Sequence, residues 1–375
     1  MRVLHVHSGN LFGGVETMML TQARHQHLCP SLEFEFALCF AGRLRDELVA
    51  TGAPVHDLGA VRLRDPLSVR RARKHLEELV RAEKFNAVVT HSCWTQAAFG
   101  PSVRAAAAPL VFYLHAPPDG SHWLERLAKR TRPDLILGNS KYSTESVSVL
   151  YPNTTVEIVY CPVSPPQMNA PSVRAAKRVE LATSESATVI VQVGRMERWK
   201  GYDTHLQALA KLDKTLDWVC WIVGGAQRAS ERKYFDELKD LARELGIGER
   251  VRFAGQRDDV NELLGAADVY CQPNTAGEPF GISFIEALYA GLPVVTSDTG
   301  AAREIVDETC GVRVPAGEVE TLAQELRRLI ESHDLRVQLG QRGRRRAEQL
   351  CDPGTQLHKF QSCINSLNHR RQAIA

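Results

Sequence analysis

Along the first half of the chain, apolar residues gather into short runs rich in β-branched side chains, separated by polar or glycine-containing turns and by longer stretches with helical spacing. The clearest runs, Arg2–His7, Glu33–Cys39, Ala87–Thr90, Leu110–Leu114 and Leu135–Leu137, read as buried strands. The same rhythm restarts further on, with strands expected at Thr188–Val193, Trp218–Val223, Arg250–Ala254, Asp268–Gln272 and Pro293–Ser297. Strands alternating with helices need crossover connections, and these make the sheets parallel. The pattern therefore predicts an α/β protein of two Rossmann-like, doubly wound domains facing a central cleft. Between them, Cys161–Ser172 is rich in proline and small polar residues and has the composition of a linker. The expected domains are residues 1–165 and 173–352. Helices are expected over Leu322–Ile330 and Leu339–Leu350, and a last helix, 355–371, is expected to cross back to the first domain.

Open parallel sheets bind ligands beyond the carboxyl ends of their strands. One segment there stands out, running from Glu278 through Pro279, Phe280, Gly281, Ile282 and Ser283 to Glu286 and Gly291. It reads as a turn feeding a helix from about Ser283 to Ala290, capped by Gly291 with Pro293 beyond. A helix start offers unpaired N–H groups to an anion, and Gly281 lets a ligand approach the backbone. The carboxylates of Glu278 and Glu286 suit hydroxyl groups. Strand Val189–Val193 runs into Gly194, Arg195, Met196, Glu197, Arg198, Trp199, Lys200 and Gly201. Its Arg195 and Lys200 are cations suited to a diphosphate, the guanidinium as a two-pronged grip and the ammonium as a point charge. No DxD motif occurs, so the phosphate charge is expected to be met by these cations and the helix start, with no metal ligands among the candidates. In the first domain, polar residues recur at four strand ends: His7, Ser8 and Gly9 with Gly13 and Gly14; His91 and Ser92; His115; and Asn139 with Ser140. Gly13 and Gly14 open a helix and could bring backbone N–H groups to a phosphate or sugar, or form an ordinary tight turn. The chain contains no GxGxxG, which disfavours a nicotinamide dehydrogenase.

Composition narrows the classes. The chain has 375 residues, with 46 Lys and Arg against 44 Asp and Glu and a formal charge of +2, so bulk charge does not point to nucleic acid. Nine cysteines are scattered without metal-like spacing and read as reduced core thiols of a cytoplasmic protein. The N-terminus reads without a signal peptide, and no apolar run approaches the ~20 residues that span a bilayer. Two basic stretches in the first domain, residues 62–74 and 122–132, read as solvated amphipathic helices packed on the sheet, or as a weak peripheral contact with the inner face of a membrane or with an acidic acceptor.

These residues together resemble the retaining glycosyltransferases of family 4, which have the GT-B fold. The resemblance is carried by Gly194–Gly201, by Glu278–Glu286 with the following stretch to Gly300, and by Gly13–Glu16, and it is strongest from Val191 to about Ala323. It implies transfer of a hexose-type sugar from a UDP-sugar or GDP-sugar to an acceptor hydroxyl, with retention and without a metal or further cofactor. The acceptor would be a carbohydrate, a lipid-linked glycan or a small molecule. By the resemblance, Arg195 and Lys200 hold the diphosphate, Glu286 the ribose and Glu278 the sugar hydroxyls. Phe280, Gly281 and Ile282 offer backbone N–H groups, Gly13, Gly14 and Gly194 line the donor, Phe253 in Val251–Gly255 flanks the base, and His115 lies near the reacting sugar. One departure is Gly300-Ala301-Ala302-Arg303-Glu304, where relatives carry a second glycine and a proline. The alternatives are another GT-B chemistry, such as a sugar-nucleotide epimerase or a phosphorylase, or a nucleotide-sugar-binding protein without turnover.

Overall fold

The protein is described from a computed structural model, which covers residues 1–10, 12–166, 171–226 and 228–374. It divides into two compact units, Met1–Val163 with Cys351–Ala375, and Ser164–Leu350. The linker segment read at Cys161–Ser172 falls partly outside the described residues; Cys161 and Val163 are buried in the first unit, where Val163 N–H donates to Cys351 C=O at 3.0 Å.

The first unit is built on seven parallel strands: β1 (Arg2–His7), β2 (Glu33–Leu38), β3 (Val55–Asp57), β4 (Ala87–Thr90), β5 (Leu110–Leu114), β6 (Leu135–Gly138) and β7 (Val156–Ile158), in the spatial order 3-2-1-4-5-6-7. The order reverses between β1 and β4, whose register pairs His5 with Val89 and Val6 with Thr90. The second unit has six: β8 (Thr188–Val193), β9 (Trp218–Val223), β10 (Val251–Gly255), β11 (Val269–Gln272), β12 (Val294–Ser297) and β13 (Gly311–Val314), in the order 10-9-8-11-12-13. Its reversal lies between β8 and β11. At such a point the crossover helices leave the sheet on opposite faces, which opens a crevice above the strand ends. The two doubly wound parallel sheets are those read from the pattern.

Central strands are largely apolar because helices cover both faces; β9, Trp-Val-Cys-Trp-Ile-Val, is buried at every position. The strands the pattern did not reveal, β3, β7 and β13, are short and lie at or near sheet edges, with exposed or half-buried residues. The helix Pro353–Ile374 belongs to the first unit, into which it buries Leu357, Phe360, Ile364 and Leu367. Phe360 lies edge-on to Phe34 and stacks on His5 with centroids 5.8 Å apart, and Arg371 donates to Asp134 at 2.8 Å. All nine cysteines are free thiols, and no helix among the described residues is long and apolar enough to cross a membrane.

Candidate functional site

The second unit gathers its polar residues on either side of the β8–β11 reversal. After β8 the chain passes Gly194 and Arg195, buries Met196, and makes a 3-10 turn at Arg198–Lys200. Gly201 closes that turn with φ of +70° and opens the helix Tyr202–Ala210. Only glycine fits there, since a Cβ would stand 1.8 Å from the carbonyl oxygen of Pro273. The Lys200 carbonyl is held by the Gln192 side-chain N–H at 2.9 Å, and the Gln192 oxygen meets His205 Nδ1 at 2.8 Å. Gln192 and His205 are completely buried, so the turn carrying Lys200 is anchored from within the sheet.

Lys200 points at Glu278. Its Nζ lies 2.5 Å from Oε2, with side-chain exposures of 12% and 9% respectively, low enough for the pair to interact with little screening by water. The same oxygen accepts from the side-chain amides of Gln272 at 3.2 Å and Asn274 at 3.3 Å. Lys200 Nζ also sits 4.1 Å from the Trp199 ring centroid. Arg195 pairs elsewhere, with Glu197 at 2.8 Å and with the buried Glu231 at 3.6 Å. Both predicted cations are thus matched by the chain's own carboxylates, and Lys200 and Glu278 are brought into direct contact.

Beyond Glu278, Gly281 takes φ of +94° and the helix Ile282–Tyr289 follows, with Gly291 at φ of +78° just past its end. Gly300, at φ of +58°, packs flat on Glu278: a Cβ there would lie 2.5 Å from both its backbone N and its carbonyl O. Ala301 N–H donates to that carbonyl at 2.9 Å. Gly300 and Ala301, the second of which departs from the family pattern, therefore brace Glu278. Arg303 is exposed and bound to Asp298, through Nε to Oδ1 at 3.2 Å and through Nη2 to the carbonyl at 2.8 Å. Glu286 is half-buried in its helix, and its carboxylate has no hydrogen-bond partner among the described residues; burial pushes it up to about 7. Phe253 packs edge-to-face on Phe235, centroids 5.5 Å apart, against the core of this unit.

In the first unit the β1–β4 reversal is lined by histidines. His7 Nε2 lies 2.7 Å from Glu16 Oε1, while Glu16 Oε2 accepts the Gly13 N–H at 2.8 Å. One of the glycine N–H groups expected to be open is therefore taken by the helix's own third residue, as in a capping box. Burial works against ionisation of Glu16, but the bonds from His7 and the backbone outweigh it and hold the carboxyl below its ordinary value. Beside this pair, His5 Nδ1 meets His91 Nε2 at 2.7 Å and His91 Nδ1 meets His115 Nε2 at 3.1 Å. His115 also stacks on Tyr113 at 4.8 Å. Burial, with repulsion from neighbouring histidines, pushes His5 and His115 down to about 3 and His91 well below its ordinary value.

The two basic stretches meet. The helix Pro66–Glu83 starts on Asp65, whose side chain accepts from the Leu67 and Ser68 N–H groups. Leu63, Val69, Arg70 and Lys74 line a groove of about 660 Å³ with Trp123 and Leu127. Trp123 is 53% exposed and Leu67 71%, an amphipathic surface with its apolar part unburied.

Sequence reasoning missed Gln192, Gln272 and Asn274. The signal for the two glutamines was a single amide near the end of an otherwise apolar strand, and for Asn274 an amide two residues beyond it. The His7–Glu16 pair had no signal beyond a carboxylate at the third position of a helix.

Comparison with known proteins agrees with this layout. The profile of the family described as glycosyl transferases group 1 matches residues 173–346, and that of glycosyltransferase family 4 matches residues 12–166. The lipopolysaccharide core biosynthesis glycosyltransferase LpsE of Rhizobium meliloti is 34% identical over 170 residues, 45% of this chain and 47% of that protein. The phosphatidyl-myo-inositol mannosyltransferase of Mycobacterium leprae is 39% identical over 140 residues, 36% of this chain and 35% of that one. The chain thus spans less than half the length of these curated relatives. The crystal structure of Anabaena HepE in complex with UDP and glucose superposes with a TM-score of 0.86 and 23% identity, covering 98% of this chain and all of that one. With two doubly wound parallel sheets and two profiles that together run from residue 12 to residue 346, the chain belongs to the GT-B glycosyltransferases of the family 4 type.

Proposed function

We propose that this protein transfers a hexose-type sugar from a nucleoside diphosphate sugar, a UDP-sugar or a GDP-sugar, to an acceptor hydroxyl, with retention at the anomeric carbon and without a metal. The observation that carries the reading is the Lys200–Glu278 pair, set with Gln272 and Asn274 at the β8–β11 reversal beside the start of the helix Ile282–Tyr289. Sugar hydroxyls can donate to Glu278 while the ammonium turns to a phosphate oxygen. As the glycosidic bond breaks, negative charge grows on the leaving diphosphate, and Lys200, Arg195 and the helix start meet it. Three donors on one oxygen make Glu278 a poor nucleophile. That favours attack by the acceptor on the face the diphosphate leaves, with a departing phosphate oxygen taking the acceptor's proton, over a covalent glycosyl-enzyme. HepE, bound to UDP and glucose, supports the donor class.

We assign acceptor binding to the first unit. The Trp123 groove, apolar within and rimmed by Arg70 and Lys74, suits an anionic amphiphile, as do the lipopolysaccharide and phosphatidylinositol named for the relatives. The test is a panel of nucleoside diphosphate sugars, scored by rise in melting temperature and by release of nucleoside diphosphate, with acceptors offered free and in anionic or neutral vesicles. One donor should raise the melting temperature, and release should depend on acceptor and be fastest with anionic vesicles. Absence of any stabilising donor would sink the reading, and an inverted anomer in the product would sink retention.

Glu286 gives this site a pH signature. With its carboxyl raised to about 7, donor binding should tighten about tenfold from pH 6 to pH 8 as the stronger, charged acceptor for ribose hydroxyls forms. Glu286→Gln should bind weakly and flatten the profile, as read by titration calorimetry. Stability runs the other way. A carboxyl whose folded value lies above its unfolded one contributes most below about pH 4.5, and that contribution is lost as pH rises through 7, at most about 3 kcal/mol. The Gln variant should therefore gain on the wild type above pH 7.

A further inference from the structure

We propose that His5 and His91 are positioning residues that fix His115 as the tautomer protonated on Nδ1, so that His115 presents a permanent hydrogen-bond donor to a substrate oxygen. The contact with substrate rests on the transferase reading above; the tautomer does not.

A neutral imidazole has one donor and one acceptor. Both ring nitrogens of His91 face other imidazoles, at 2.7 Å towards His5 and 3.1 Å towards His115, so His91 must donate to one and accept from the other. Two polarities satisfy the row, and its far end chooses between them. His5 is wholly buried, its Nε2 has no partner, and its ring is packed among Phe34, Phe36 and Phe360. Each polarity leaves one N–H without a partner among the described residues, at His5 Nε2 or at His115 Nδ1; at His5 it would be sealed in an aromatic pocket that no acceptor can enter, whereas the His115 ring is only half-buried, at a strand end. The His5 proton therefore sits on Nδ1 and is donated to His91 Nε2. His91 then carries its proton on Nδ1 and donates to His115 Nε2, which leaves His115 protonated on Nδ1.

That nitrogen is buried and without a partner among the described residues. The row thus delivers its one unsatisfied donor just beyond β5, at the strand ends where this fold binds ligands. The surroundings hold all three rings neutral; Tyr113, stacked on His115 at 4.8 Å, keeps its proton because burial pushes its hydroxyl well above the ordinary value, and His7 and Glu16 are bound to each other, with the His7 ring edge-on to His91 at 6.0 Å. His115 acts as a fixed dipole aimed at an oxygen, in contrast to a base that must gain and lose a proton.

The full-length chain labelled with 15N-histidine, examined by long-range proton–nitrogen correlation, tests this without substrate, the His115 signals being identified by their loss in His115→Gln. The wild type should show a protonated Nδ1 at His115. His91→Phe should give a mixture of tautomers, whereas His91→Gln, whose amide can accept from His5 and donate to His115, should keep the wild-type form. His5→Phe provides a second break in the row should His91→Phe fail to fold. In turnover, His91→Phe should lower kcat about tenfold with little change in donor KM, and His91→Gln should recover most of it. A wild-type His115 protonated on Nε2, or a tautomer indifferent to both breaks, overturns the proposal. An intact relay with unchanged kcat in His91→Phe overturns the contact with substrate.

Discussion

Lys200→Met should lower turnover about a hundredfold to a thousandfold while changing donor KM only a few-fold. Methionine keeps most of the stem and loses the charge that the leaving diphosphate needs most in the transition state, so the deficit belongs in kcat. The same change strips Glu278 of its only charged partner among the described residues and leaves its carboxylate with the neutral amides of Gln272 and Asn274. An unmatched, largely buried carboxylate costs about 3–5 kcal/mol, and the melting temperature should drop accordingly. Adding Glu278→Gln separates the two effects. The double variant should regain the stability, because no charge is left unpaired, and none of the turnover. Steady-state kinetics and melting curves on the two single variants and the pair decide the matter. Recovery of turnover in the double variant would mean that Lys200 serves only to neutralise Glu278.

Gly201→Ala should be nearly as damaging through one methyl group. At φ of +70° any side chain costs about 1–2 kcal/mol in backbone strain. The added carbon would lie 1.8 Å from the Pro273 carbonyl oxygen, a backbone atom that cannot swing aside. Relief requires the Lys200 turn or the Pro273–Asn274 segment to move, and the sum should be about 3 kcal/mol or more. For a unit of this size that lowers the melting temperature by about 6–12 °C. Both segments carry groups that meet at Glu278, so activity measured well below the melting point should fall further than stability explains. Gly246→Ala is the matched control, since Gly246 has φ of +69° and an added Cβ would meet nothing within 4 Å. It should show the strain alone and normal activity.

What could be read from the chain followed the physics of each signal. Central strands such as Leu110–Leu114 and Trp218–Val223 were legible because burial on both faces demands unbroken apolar runs. Val55-His56-Asp57 was not, because a short edge strand needs no such run. At the site, Lys200 and Glu278 stood out as residue types at strand ends, but their contact spans 78 positions and has no local trace. Arg195 was read as a free cation, and its neighbours Glu197 and Glu231 were invisible as partners. His5 fell in a strand between apolar residues and drew no notice, since only the neighbouring strand ends turn it into one end of a row of imidazoles. The Gly300–Glu304 departure was visible as spelling alone. That Ala301 braces Glu278 through its backbone N–H is a fact of geometry that any residue type there would conceal.

The helix Pro353–Ile374 fixes an order of events during synthesis. It seals an aromatic pocket that includes Phe34 and His5, yet it leaves the ribosome only after the whole of the second unit. Until then Phe34 and His5 lack the cover that Phe360 gives them. The usual vectorial sequence, amino-terminal domain first, therefore cannot close this pocket before the second unit has been synthesised.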